Sequence, residues 1–128
     1  AYAYVEDAQA NGAEIAGAIS LDMVGFNSGS DQLTVVGEER YRDWMSYAVE
    51  AIVRYSSLEA AEVFESADSD HVVFQQNGIP AYLLLSSDFD GSYYHTADDT
   101  AVHIQSDFGL QATRVAVGAA AHSALIVE

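Results

Sequence analysis

Three short segments of this sequence carry side chains that could do chemistry. The first is Asp22, which stands between Leu21 and Met23 in the apolar run IAGAISLDMVGF, residues 15–26. Burying an unpaired carboxylate in such a run is costly. Asp22 must therefore be paired, hydrogen-bonded, metal-bound or at the strand's exposed end. Ligands of α/β sheets bind beyond the carboxyl ends of strands, so both a site residue and a plain strand-closing Asp fit this position. The second is His95, in YYHTADDT, with Asp98 and Asp99 just behind it. Imidazole is a common zinc ligand, and a ligating His usually donates its other N–H to a carboxylate, which these aspartates offer. The plain alternative is an exposed loop histidine beside solvated acids. The third is SDHVVFQQNGIPA, residues 69–81. A helix start explains Ser69 and a helix stop explains Gly78, and Asp70 suits the positive end of a helix dipole. His71 is poorly placed there as a cation, and a hydrogen-bonding role is expected of it.

The elements that must position these side chains alternate in type, which predicts an α/β chain. Residues 1–12 read as the end of a helix that stops at Asn11-Gly12. Residues 15–26, apolar on both faces, read as a buried central strand. Asn27 to Asp31 is a turn cluster, and residues 33–36 form a short strand ended by Gly37. An amphipathic helix is expected from Glu39 to Tyr55, with Trp44, Ala48, Ala51, Ile52 and Tyr55 on one face. Residues 60–64 read as a strand. Residues 69–77 read as a short helix capped by Ser69 or Asp68, with Pro80 tolerated after its stop. A second buried strand, AYLLLS, follows at 81–86, and then a polar loop at 88–100. A final helix starts near Asp107 with Ser106 as N-cap and an apolar face of Phe108, Val115, Ala119, His122 and Ile126. His103, between Val102 and Ile104, and His122 both read as structural. No linker or break in composition divides residues 1–128, which read as a single domain or part of one.

Composition removes several function classes. The 128 residues hold 20 acidic and 4 basic side chains, a formal charge of −16, with half of all residues apolar. A disordered acidic tail would lack that apolar content. A nucleic-acid binder needs a basic footprint, and an anionic membrane surface would repel this chain. The acidity fits either a solvated surface or adaptation to high salt, where a Debye length of about 3 Å screens self-repulsion. The absence of cysteine excludes disulfides and thiolate metal sites. No apolar run reaches the roughly 18 residues of a membrane span, and AYAYVEDAQANG has no signal-peptide pattern. The first residue is Ala1, not Met, which fits a fragment or a processed product. There is no glycine-rich phosphate loop, nucleophile elbow or H-E-x-x-H helix.

In order and spacing, ISLDMVGF, SDHVVFQQNGIPA and YYHTADDT resemble the C-terminal half of the zinc-dependent aminopeptidase family. That family includes bacterial leucyl aminopeptidases, glutaminyl cyclases, glutamate carboxypeptidase and the transferrin receptor ectodomain. Asp22 and His95 stand 73 positions apart. The resemblance implies a three-layer αβα fold with a mixed, mostly parallel sheet, of which this chain is the C-terminal half. It implies a site of two zinc ions, with cobalt or manganese as alternatives. Asp22 and His95 would be metal ligands on different ions. Ser69, Asp70 and His71 would shape the pocket and its hydrogen bonds, and Asp99 would partner the ligand histidine. Tyr93 and Tyr94 would line the substrate pocket. The family's remaining ligands and its catalytic glutamate precede the first helix, and Glu6 and Asp7 do not fit that setting, so no catalytic residue is expected within this chain. The implied reaction is metal-assisted removal of N-terminal residues from peptides with a free N-terminus, at a site completed by the missing N-terminal half or by a homo-oligomer. Relatives of this fold include secreted and periplasmic proteins. Two alternatives are a non-catalytic interaction domain of the same fold and a glutaminyl cyclase-like acyltransferase.

Overall fold

The computed structural model describes residues 1–65, 68–87 and 91–124. Four strands form one sheet in the order β1-β4-β2-β3. Strand β1 (Ala18–Asp22) lies parallel to β4 (Ala81–Ser86), and β2 (Gln32–Gly37) lies parallel to β3 (Glu59–Phe64). The β2–β4 pair is antiparallel, so the sheet is mixed and mostly parallel, as expected. Four α-helices flank it: α1 (Tyr2–Ala10), α2 (Arg42–Tyr55), α3 (His71–Gln76) and α4 (Ser106–Ala124). Among the described residues no helix is long and apolar enough to cross a membrane.

The core follows from strand alternation. Leu33 and Val35 of β2 and Tyr82 and Leu84 of β4 point to one face. There they meet Met45, Ala48 and Ile52 of α2 and Phe108, Ala112, Val115 and Ala119 of α4. Small residues let the two helices approach. A side chain on Gly118 would meet the Tyr55 ring at 2.3 Å, and one on Gly17 would meet the Trp44 ring at 2.1 Å. Val36 and Leu83, in register across the β2–β4 pair, point to the other face, where α3 contributes Val73. Helix α1 packs beside α3 through buried Val5 and Ala8 and ends as predicted at Asn11, with Gly12 at φ +66.

Several boundaries differ from the sequence reading. The run at 15–26 is a strand only from Ala18 to Asp22, and it is half-buried to exposed, at the edge of this chain's sheet. Met23 turns to φ +50 and ends it. Helix α3 begins at His71, not Ser69. Asp70 holds the N-cap position without a side-chain capping bond, which corrects the expectation that Ser69 or Asp68 caps it. Tyr55 ends α2 but is 41% exposed; Met45 completes the buried face instead. A 3-10 turn, Glu39–Tyr41, precedes α2. Helix α4 buries Phe108, Val115 and Ala119 as read, while His122 is only partly buried and donates to or accepts from the Tyr55 hydroxyl at 2.9 Å. Ile126 and residues 88–90 of the polar loop lie outside the described residues.

Candidate metal centre

Strand β1 delivers Asp22 to its carboxyl end, where the carboxylate is exposed. The Ser69 hydroxyl, two residues before α3, donates to Asp22 Oδ2 at 3.0 Å. That bond explains the failed capping expectation. A serine hydroxyl has one proton, and here it is given to a carboxylate rather than left for the helix start. Asp22, Ser69 and Asp70 line one cleft together with Asp68 and Tyr2. Two of the predicted pocket residues are thus beside Asp22.

His71 departs from expectation. It is fully buried, and neither ring nitrogen has a hydrogen-bond partner. Burial, which disfavours the imidazolium, pushes its pKa below the ordinary value. The hydrogen-bonding role expected of His71 is not seen among the described residues.

His95 lies on a tight turn after β4. Tyr93 O accepts from Thr96 N at 3.1 Å and from Thr96 Oγ1 at 2.8 Å, while Tyr94 N donates to Gly91 O at 3.3 Å. The turn forces His95 to φ +56, and its ring stacks on Tyr94 with centroids 3.8 Å apart. Among the described residues, the non-glycine residues at positive φ are Met23 and His95. One follows Asp22 directly and the other is the candidate ligand itself. Left-handed backbone at a non-glycine residue costs on the order of 1–3 kcal/mol, and such strain gathers at functional sites.

Tyr93 and Tyr94, expected at the substrate pocket, and Asp99, expected to partner His95, line one cleft, whose other walls include Met23, Phe26 and His103. It has a volume of about 140 Å³ and is mostly apolar. The chain neighbours of the two candidate ligands, Met23 and Tyr94, therefore face one space. Sequence reading missed Phe26 and His103. His103 was read as structural because Val102 and Ile104 flank it, yet these are 83% and 60% exposed. No local sequence signal marks Phe26 or His103, since they meet Tyr93 only in the fold: the Tyr93 ring stacks on His103 at 3.7 Å and meets Phe26 in a T-shaped contact at 5.8 Å.

A profile of peptidase family M28 matches residues 1–120. This chain belongs to that family. A probable leucine aminopeptidase of Arthroderma benhamiae is 25% identical over 114 residues, which are 86% of this chain and 31% of that protein. The LapA aminopeptidase structure of Legionella pneumophila superposes with a TM-score of 0.85 at 21% identity, over 98% of this chain and 35% of that one. BSAP, a zinc aminopeptidase from Bacillus subtilis, gives 0.70 at 23% identity, over 84% and 28%. The fold is thus that of these aminopeptidase structures, and the chain spans about a third of the length of the relatives it matches.

The donors suit zinc in kind. Asp22 offers oxygen and His95 offers nitrogen, both at exposed positions. Their number is smaller than a closed site takes, usually about four ligands. Among the described residues no group of three or more His, Asp or Glu side chains is arranged to hold a metal ion.

Proposed function

We propose that these residues form the C-terminal part of a metal-dependent M28 aminopeptidase that removes N-terminal residues from peptides. In this reading Asp22 and His95 are ligands of a two-zinc site. The other ligands and the proton-transferring carboxylate lie on polypeptide outside this chain, in the rest of the same protein or in a second copy. The observation that carries the reading is the paired backbone strain: of the two left-handed non-glycine residues among those described, Met23 directly follows the proposed ligand Asp22 and His95 is the other proposed ligand.

The residues of this chain have separate tasks in that site. Ser69 fixes Asp22 through Oδ2 and so leaves Oδ1 for a metal. Tyr94 stacks on the imidazole and fixes its plane. The cleft of Met23, Phe26, Tyr93 and Tyr94 excludes water from beside the ligands and takes an apolar side chain of the substrate. When bound, zinc supplies polarisation of the scissile carbonyl and a coordinated water of lowered pKa. In this reading the proton-transfer group comes from outside the described residues.

The test is hydrolysis of leucine p-nitroanilide with added zinc. The 128-residue chain alone is expected to show no turnover above buffer, and the intact polypeptide that carries it is expected to hold stoichiometric zinc and turn over. Robust turnover by the chain alone would overturn the division of the site. Absence of both zinc and turnover in the intact polypeptide would move the reading to a non-catalytic domain of the same fold.

A further inference from the structure

Tyr93 occupies a position that links the two ligand segments mechanically. Its ring meets two aromatic groups: His103, stacked 3.7 Å away and nearly parallel at 16°, and Phe26, in a T-shaped contact 5.8 Å away at 77°. Phe26 belongs to the segment that leaves β1 after Asp22. His103 belongs to a 3-10 turn, Ala101–His103, that leads into α4. The two flanking segments are also joined directly, since Gln105 N donates to Gly25 O at 2.8 Å. The backbone of Tyr93 in turn closes the His95 turn, because its carbonyl accepts both the amide and the hydroxyl of Thr96.

We infer that His103 is a positioning residue for His95, acting through Tyr93. The His103 and Phe26 rings hold Tyr93, the Tyr93 carbonyl holds Thr96, and that turn keeps His95 in its left-handed conformation beside the Asp22 segment. A strained turn on an exposed loop persists only when its surroundings over-determine it. The described contacts supply that determination from outside the loop, through a histidine used for its flat face rather than its charge. That His95 is a metal ligand rests on the proposed function; the bracket of rings does not.

The experiment is ¹⁵N relaxation of the chain, read at the His95 and Thr96 amides. In the parent chain both are expected to behave as rigid backbone, with order parameters of about 0.85. His103→Ala is expected to lower both below about 0.6, the range of flexible backbone, while the Leu84 amide at the sheet centre is unchanged. His103→Phe keeps a flat ring without a titratable nitrogen and is expected to restore rigid values. Phe26→Leu removes the other ring and is expected to loosen the same two amides. If His95 and Thr96 stay as ordered in His103→Ala as in the parent, or if His103→Phe fails to restore them, the inference is overturned. Should His103→Ala fail to fold, the Phe26→Leu and His103→Phe pair decides by the same criterion. No metal or turnover enters this readout. A chain that keeps the bracket but fails to complete a zinc site therefore counts against the proposed function alone.

Discussion

The two flanks of the sheet solve the burial problem differently. On the β2–β4 side, under α2 and α4, apolar surfaces close on one another: Leu33, Val35, Leu84 and the Tyr82 ring meet Met45, Ile52, Phe108 and Val115, all buried, and the Tyr82 hydroxyl is enclosed there without a partner among the described residues. On the β1–α3 side, the edge strand leaves Leu21 41% exposed and ends in a solvent-facing carboxylate, and it packs beside a histidine whose ring nitrogens have no partner. Local stability follows local burial, so the first flank is the chain's stable unit and the second its adaptable one. The candidate ligand Asp22 is on the second flank.

This contrast is sharpest for two leucines in register. Leu21 of β1 pairs with Leu84 of β4. Leu84→Ala empties a fully buried position and is expected to cost about 2–5 kcal/mol. Leu21→Ala removes the same atoms from a half-open one and is expected to cost less than about 1 kcal/mol. Urea melts of the two variants measure the difference. Equal losses would mean that β1 is as well packed as the sheet centre and would remove the distinction between flanks.

His71 allows a test of the opposite sign. A buried polar group without a partner is a cost of about 1–3 kcal/mol, so His71→Leu is expected to leave the stability of this chain unchanged or to raise it by up to that amount. The pH dependence follows from the lowered pKa. The folded chain keeps His71 neutral below 6.5, the ordinary value, whereas the unfolded chain binds a proton there. Stability is therefore full above that value and falls as pH drops from about 6.5 toward the folded pKa. His71→Leu should flatten that part of the profile. A destabilised variant at pH 8, with the slope retained, would show that His71 is satisfied after all and that the β1–α3 flank is less open than described.

The same contrast explains what could be read in the sequence. Strands β2 and β4 were legible to within a residue, because their side chains satisfy the pattern of a buried strand inside this chain alone. The apolar run at 15–26 has that pattern too, yet only Ala18–Asp22 is strand. Its continuation is bent away by Met23 at φ +50, a conformation that no side-chain pattern encodes for methionine. Among the described residues β1 pairs with β4 alone, so a central-strand pattern stands on an edge strand. Asp22 and His95 stood out for chemical reasons, a carboxylate in an apolar run and an imidazole among acids, while their reading as ligands came from the family resemblance. The aromatic contacts around Tyr93 were not, because Phe26, Tyr93 and His103 meet only through the return of the chain after β4. Ser69 was assigned to the wrong partner for a related reason. Local spacing favours a cap, and the competing acceptor lies 47 positions away.

Ser69→Ala has only a small expected effect on stability and separates the two flanks by function rather than by energy. The lost bond is to an exposed carboxylate, so water replaces it at little cost, and a change of about 0.5–1.5 kcal/mol or less is expected. In a stable-flank residue such a change would be the whole effect. On this flank the bond also fixes one oxygen of Asp22, and a ligand free to rotate pays ordering entropy when it binds a metal. Supporting groups of this kind typically alter metal affinity 10–100-fold. Zinc affinity of the intact polypeptide should therefore fall by about 10-fold or more in Ser69→Ala, while its thermal unfolding without metal shifts only slightly. Ser69→Thr, which keeps the hydroxyl, should restore the affinity. A variant that loses stability and keeps its affinity would place Ser69 with the structural residues and leave Asp22 oriented by its strand alone.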